Sequence, residues 1–141
     1  MRRAMIVFAF LGLADATYLT VLHYARITVP CAAAGNPCEV VQTSIYSHIF
    51  GIPVSLLGAI GYLLILVGLF LRDGHNTRLA TLAVALFGVV FSGYLTYREA
   101  FTLNQYCEWC LGSAFLMLLT FLLAAVRYVG WSPASGGSPA D

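Results

Sequence analysis

Cys107-Glu108-Trp109-Cys110 runs without a break into the apolar stretch 111–126, LGSAFLMLLTFLLAAV, and the reading of this junction decides the fold. Two cysteines at C-x-x-C spacing can close a disulfide or hold a metal. At a helix start they gain a further property, because the unpaired amides of the first turn favour a thiolate and make the pair reactive. If the apolar stretch crosses a membrane, Cys107 lies at the interface and Cys110 one turn deeper, roughly 4.5 Å along the axis. The pair then reads as a redox couple with water on one side and lipid on the other. Two blander readings stand beside it: half of a zinc site, or an inert staple.

The composition around this junction belongs to the membrane. Of 141 residues, 60% are hydrophobic and 9% charged, and the mean hydropathy is +0.86, far above an ordinary soluble domain. A formal net charge of +1 supplies no basic field for nucleic acid, so that class of partner is set aside. Four cysteines fall into two close pairs, Cys31/Cys38 and Cys107/Cys110, the arithmetic of two disulfides on an oxidising side of a membrane.

Working back from the junction, the pattern predicts an all-α membrane protein: a bundle of four transmembrane helices over residues 4–24, 54–71, 79–97 and 107–126, each near the ~20 residues needed to span. Arg2 and Arg3 before the first run resemble the start of a signal peptide. The run is longer than a signal core and is broken by Asp15, so it is read as a retained span. The outward loop 25–53 carries Cys31 and Cys38 around Ala32-Ala33-Ala34-Gly35-Asn36-Pro37. Asn36 reads as an N-cap, Pro37 as the first helical residue and Glu39 as the capping-box acid. Val41, Ile45 and Ile49 then recur at helical spacing, which predicts a short amphipathic helix, opened by Cys38 and ended by Gly51-Ile52-Pro53. Gly58 and Gly61 are expected to bring helices close. Residues 1–129 form one transmembrane domain, and 130–141, rich in Ser, Pro and Gly, reads as a disordered cytoplasmic tail.

Arg2, Arg3, Arg72, Arg78 and Arg127 fall on one side of this topology and Arg26 and Arg98 on the other, which predicts cytoplasmic termini in a cell (inner) membrane. All four cysteines then face the oxidising compartment. Two outward dithiols suggest a relay of thiol–disulfide exchange ending on a membrane acceptor, for which a quinone in an apolar pocket beside Cys110 is a natural candidate. Asp15 within a span is expected to face the bundle, as a helix–helix hydrogen bond or a proton carrier. His23 and His48 are weighed as proton shuttles and interfacial residues.

The chain resembles the vitamin K epoxide reductase family, especially its compact bacterial members, over about residues 12–127. The matching features are Tyr18-Leu19-Thr20 with His23-Tyr24, the loop pair Cys31 and Cys38, Ser44, Ile49-Phe50-Gly51-Ile52-Pro53, and Cys107-Glu108-Trp109-Cys110. The order of the pairs, loop first and C-x-x-C last, is the reverse of that in the disulfide bond formation protein B type. The resemblance implies an oxidoreductase in which Cys110 lies next to the quinone and Cys107 exchanges with Cys38. Cys31 meets a separate thioredoxin-fold periplasmic partner, and Ser44 lies by the quinone. It also implies that Ser47 and Ala114 occupy the positions where vertebrate relatives hold the naphthoquinone carbonyls with Asn and Tyr. That departure favours disulfide formation coupled to a respiratory quinone (menaquinone, ubiquinone or a vitamin K-like one) over epoxide reduction. The competing readings are vitamin K quinone or epoxide reduction, and a non-catalytic membrane scaffold with structural disulfides. No metal is expected.

Overall fold

The computed structural model describes residues 2–27, 45, 48–49, 51–71, 73–104 and 107–130. Four helices carry it: α1 (Arg2–Ala25), α2 (Val54–Phe70), α3 (His75–Arg98) and α4 (Glu108–Val129). Apolar runs of this kind become helices because a backbone in lipid must satisfy its polar groups within the segment. α1, α4, and α3 with its extension to Thr102 are long and apolar enough to cross a membrane, whereas α2 has 17 residues and is shorter. α1 packs against α2 and α4, and α3 packs against α4 and α2, closing a four-membered bundle.

Three local expectations are corrected. His48–Ile49 and Ile52–Pro53 form a small antiparallel hairpin, β1 and β2, so Ile49 belongs to a strand and the amphipathic helix of the outer loop cannot reach it. Gly51 stands at φ +79, a conformation that L side chains rarely adopt, and the chain turns there before Pro53 caps α2. The third helix is longer than 79–97: it starts at His75, and past Arg98 it continues as a π-helical turn over Glu99–Leu103. Asn104, with φ 52, ends that turn; its short polar side chain tolerates the left-handed region. The close approaches are made at Gly12, Gly68 and Gly88 rather than at Gly58 and Gly61.

A Cβ on Gly12 would run into the ring of Tyr62, and one on Gly88 would come within 2.8 Å of Met117 Sδ. These glycines sit over the core, in which Met5, Ala9, Ala16, Tyr62, Ile65, Leu69, Ala85, Met117 and Ala124 are buried. Small residues let helices approach where lipid removes the usual hydrophobic drive for association.

One end of the bundle is closed by charge. Arg78 at the start of α3 is 3% exposed and Arg127 near the end of α4 is 5% exposed. Asp73 receives Arg78 Nε at 2.8 Å and Arg78 Nη2 on its second oxygen, and Arg127 Nη2 at 3.0 Å. Arg78 Nη1 also donates to the Arg127 carbonyl at 2.8 Å, and Arg2 Nε donates to the Leu69 carbonyl at 2.8 Å. The Asp73 bonds thus tie α3 to α4, and the Arg2 bond ties α1 to α2. The Arg78 hydrogen bond, with help from Arg127, holds the Asp73 carboxyl below the usual carboxylate range.

Removing that charge is expected to be costly. Asp73→Asn leaves two buried cations without their shared anion, a loss of about 3 kcal/mol or more, read as a lower unfolding temperature in detergent at pH 7. Because the folded pKa is depressed, the wild-type stabilisation is complete above the ordinary value of 3.8 and disappears as pH falls through the lower folded value. The gap between the two proteins therefore closes in acid. Gly12→Val is expected to lower stability by about 1–3 kcal/mol through overpacking on Tyr62, checked by the same unfolding measurement.

Candidate active site

At the end opposite the Asp73 network, the C-x-x-C pair opens α4. Cys107 is its N-cap: the Cys110 N–H donates to Cys107 Sγ at 3.4 Å, the bond that a serine or threonine hydroxyl makes in the same position. Cys107 is fully buried and packs with Leu19 and Leu22 of α1, and Trp109 and Cys110 join that cluster. Tyr18 lies against Trp109, ring centroids 5.3 Å apart. Tyr18 and Leu19 thus help cover the pair, while Thr20 Oγ1 turns to the Ala16 carbonyl at 2.7 Å and to Ser55 Oγ of α2 at 3.1 Å.

Glu99 approaches the pair from the π-helical turn. It is 3% exposed, and its Oε2 accepts the Cys107 N–H at 3.3 Å. A helix N-terminus leaves that amide without an intrahelical partner, so a carboxylate beside it satisfies the donor and meets the positive end of the helix dipole.

Below the pair lies a cavity of about 600 Å³ bounded by all four helices. Its wall is largely apolar, with Leu57, Val84, Phe91 and Met117 among the contributors, and Cys110 opens onto it. Cys110, Ser113, Ala114 and Met117 follow at i, i+3, i+4 and i+7, one face of α4. Gly58 and Gly61 line the cavity too, and a Cβ at Gly61 would meet nothing within 4 Å. Their missing side chains make room rather than contact. Asp15 and Glu99 are the carboxylates on the wall among the described residues, and Asp15 Oδ2 is buried with no hydrogen-bond partner among them. Tyr62, 1% exposed, crosses the bundle here: its Oη donates to the Ser113 carbonyl at 2.7 Å and lies 3.1 Å from Ser113 Oγ.

Of the residues expected from sequence, Cys107, Cys110 and Ala114 come together at this site, with Cys110 and Ala114 on the cavity wall. Cys31, Cys38, Ser44 and Ser47 lie outside the described residues. Sequence reasoning missed Tyr62, Ser113 and Glu99. Asn104 was the available signal for Glu99, since a natural helix stop there, and not at Arg98, carries the helix past it.

The model of the vitamin K epoxide reductase family matches residues 3–125, which include the bundle, the cavity and the pair. The chain belongs to that family. It is also similar to the thiol-disulfide oxidoreductase LTO1 of Arabidopsis thaliana, 28% identical over 120 residues, a match that takes in 78% of this chain and 32% of the plant protein. The chain spans about a third of the length of that relative.

The cavity yields a direct check. Gly61→Leu directs a side chain into open space and removes a helix-weakening glycine, so the unfolding temperature is expected to hold or rise. Binding of an apolar ligand that uses the cavity is expected to weaken at least tenfold, measured by titration in detergent.

Proposed function

We propose that the chain is a four-span membrane thiol–disulfide oxidoreductase that oxidises a separate thioredoxin-fold partner and reduces a quinone. The carrying observation is that Cys110 opens onto an apolar cavity of about 600 Å³ at the head of α4. That volume lies in the range of pockets that enclose a drug-sized molecule. The fit to a quinone head group rests on the apolar wall, the space left by Gly58 and Gly61, and a few polar groups, among them the unpartnered Asp15 Oδ2. A quinone, when bound, supplies a two-electron, two-proton acceptor.

In this reading the Cys31/Cys38 disulfide takes two electrons from the partner dithiol by thiol–disulfide exchange, and the partner leaves oxidised. Cys38 then passes the electrons to Cys107, regenerating the loop disulfide and leaving Cys107 and Cys110 as a dithiol. Cys110, on the cavity side, hands them on as the pair closes again. Ser44, Ser47 and Ala114 are assigned to the quinone contact. Membership of the vitamin K epoxide reductase family and the likeness to a thiol-disulfide oxidoreductase support the redox class. The termini and the Asp73 end are assigned to the cytoplasm and the cysteines to the periplasmic side, on the distribution of arginines.

Purified protein, a reduced thioredoxin-fold substrate and a soluble quinone test it. Wild type is expected to consume quinone in step with substrate thiols, and Cys110→Ser to lose at least a hundredfold in quinone consumption. Cys31→Ser is expected to lose oxidation of the protein substrate while keeping quinone-coupled oxidation of a small dithiol. Quinone consumption that persists in Cys110→Ser would sink the relay.

A further inference from the structure

Closing a dithiol to a disulfide releases two protons along with two electrons, and an apolar cavity has few places to put them. Of the two carboxylates on the wall among the described residues, Glu99 is the one hydrogen-bonded to the pair. Glu99 is buried, its Oε2 rests 3.3 Å from the Cys107 amide, and it shares the cavity wall with Cys110. It is brought there by the π-helical turn, a rare distortion that recurs at functional sites and re-aims side chains out of the regular helical register.

We propose that Glu99 holds a proton in common with the Cys107/Cys110 dithiol, takes up a thiol proton as the pair oxidises, and releases it to the acceptor in the cavity. The inference rests on the quinone-reductase reading for its last step only. The balance is simple. Cys107 and Cys110 lose two protons and two electrons and form an S–S bond; the quinone gains both electrons and two protons and becomes the quinol; Glu99 gains one of those protons and loses it again, ending unchanged.

Two opposed influences meet at Cys107. The first-turn amide of Cys110 points at its sulfur and favours negative charge there, while a carboxylate at 3.3 Å from its nitrogen disfavours a second negative charge close by. Groups that interact this closely titrate as a unit, in two macroscopic steps. Among the described residues, the ionisable groups near Glu99 are Cys107, whose amide it meets, and Cys110 from α4 and Asp15 from α1, which share the cavity wall with it. Arg98, its neighbour on the same strand of chain, lies over the Tyr94 ring at 5.3 Å.

The test uses the full chain in detergent and two measurements. The first is the rate of alkylation of the reduced C-x-x-C pair as a function of pH, in a background with Cys31 and Cys38 replaced by serine. It needs no quinone. Wild type is expected to show a step contributed by Glu99 in addition to those of the two thiols. Glu99→Gln, whose amide oxygen still accepts the Cys107 N–H, is expected to lose that step, and Asp15→Asn to keep it. The second is turnover with a soluble quinone, in which Glu99→Gln is expected to fall at least tenfold in kcat with KM for quinone unchanged, and Glu99→Asp to recover part of the loss. A merely structural Glu99 predicts the reverse, that glutamine serves as well as glutamate in both measurements. Superimposable alkylation profiles for wild type and Glu99→Gln would overturn the proposal. A wild type that consumes no quinone overturns the proposed function instead, and the alkylation profiles still decide the role of Glu99.

Discussion

Tyr62 sets the geometry from which the rest follows. An aromatic ring with a hydroxyl, buried in the middle of an apolar bundle, must find both space for the ring and an acceptor for the hydroxyl, since an unmet polar group in such surroundings costs several kcal/mol. The space comes from Gly12 on α1 and the acceptor from Ser113 on α4. One residue of α2 therefore fixes the distance to α1 and the rotation of α4 together. Rotation is the more consequential of the two. Ser113 follows Cys110 by three positions, so holding Ser113 toward Tyr62 turns Cys110 and Ala114 onto the cavity wall as well.

The two ends of the bundle handle buried polarity in different ways. At one end Asp73, Arg78 and Arg127 satisfy each other with short, charge-assisted bonds, and the carboxylate keeps some contact with solvent, at 19% side-chain exposure. At the other end a single carboxylate, Glu99, meets a single backbone amide, with no cation among its hydrogen-bonding partners in the described residues. The first arrangement is a fastening. The second leaves a buried carboxyl beside the cysteine pair without a charge partner of that kind, and the role proposed for Glu99 depends on that difference.

Much of the fold was legible because apolar runs separated by short polar turns leave a membrane chain few options. The pattern places the helix over 54–70 and the break at Gly51 within a residue or two, and the C-x-x-C spacing ahead of an apolar run places Cys107 and Cys110 at a helix start. What escaped reading was long-range or register-dependent. Gly58 and Gly61 look like packing glycines in a one-dimensional pattern, and only the position of Tyr62 shows that Gly12 does that work while Gly61 borders empty space. Ile49 fits a helical period with Val41 and Ile45, yet Gly51 at positive φ forces a hairpin that pairs it with Ile52. Glu99 was hidden because a π-helical turn has no signature in hydrophobic periodicity, so the segment lies beyond the span 79–97 that the pattern predicts.

α4 is also a ruler. Its 22 residues, at 1.5 Å each, measure about 33 Å, close to the ~30 Å of hydrocarbon in a typical bilayer. One end is pinned through the Arg127 carbonyl to Arg78, and the other is the cysteine pair. The bond ties α4 to α3 within the bundle, so the two helices meet a change of lipid thickness together. A thinner bilayer brings water closer to Cys110 and the mouth of the cavity, and a thicker one draws both further into hydrocarbon. On the proposed function, the membrane in which the protein resides would thus bear on the dielectric around the sulfur atoms, and lipid composition would become a tuning parameter for the pair.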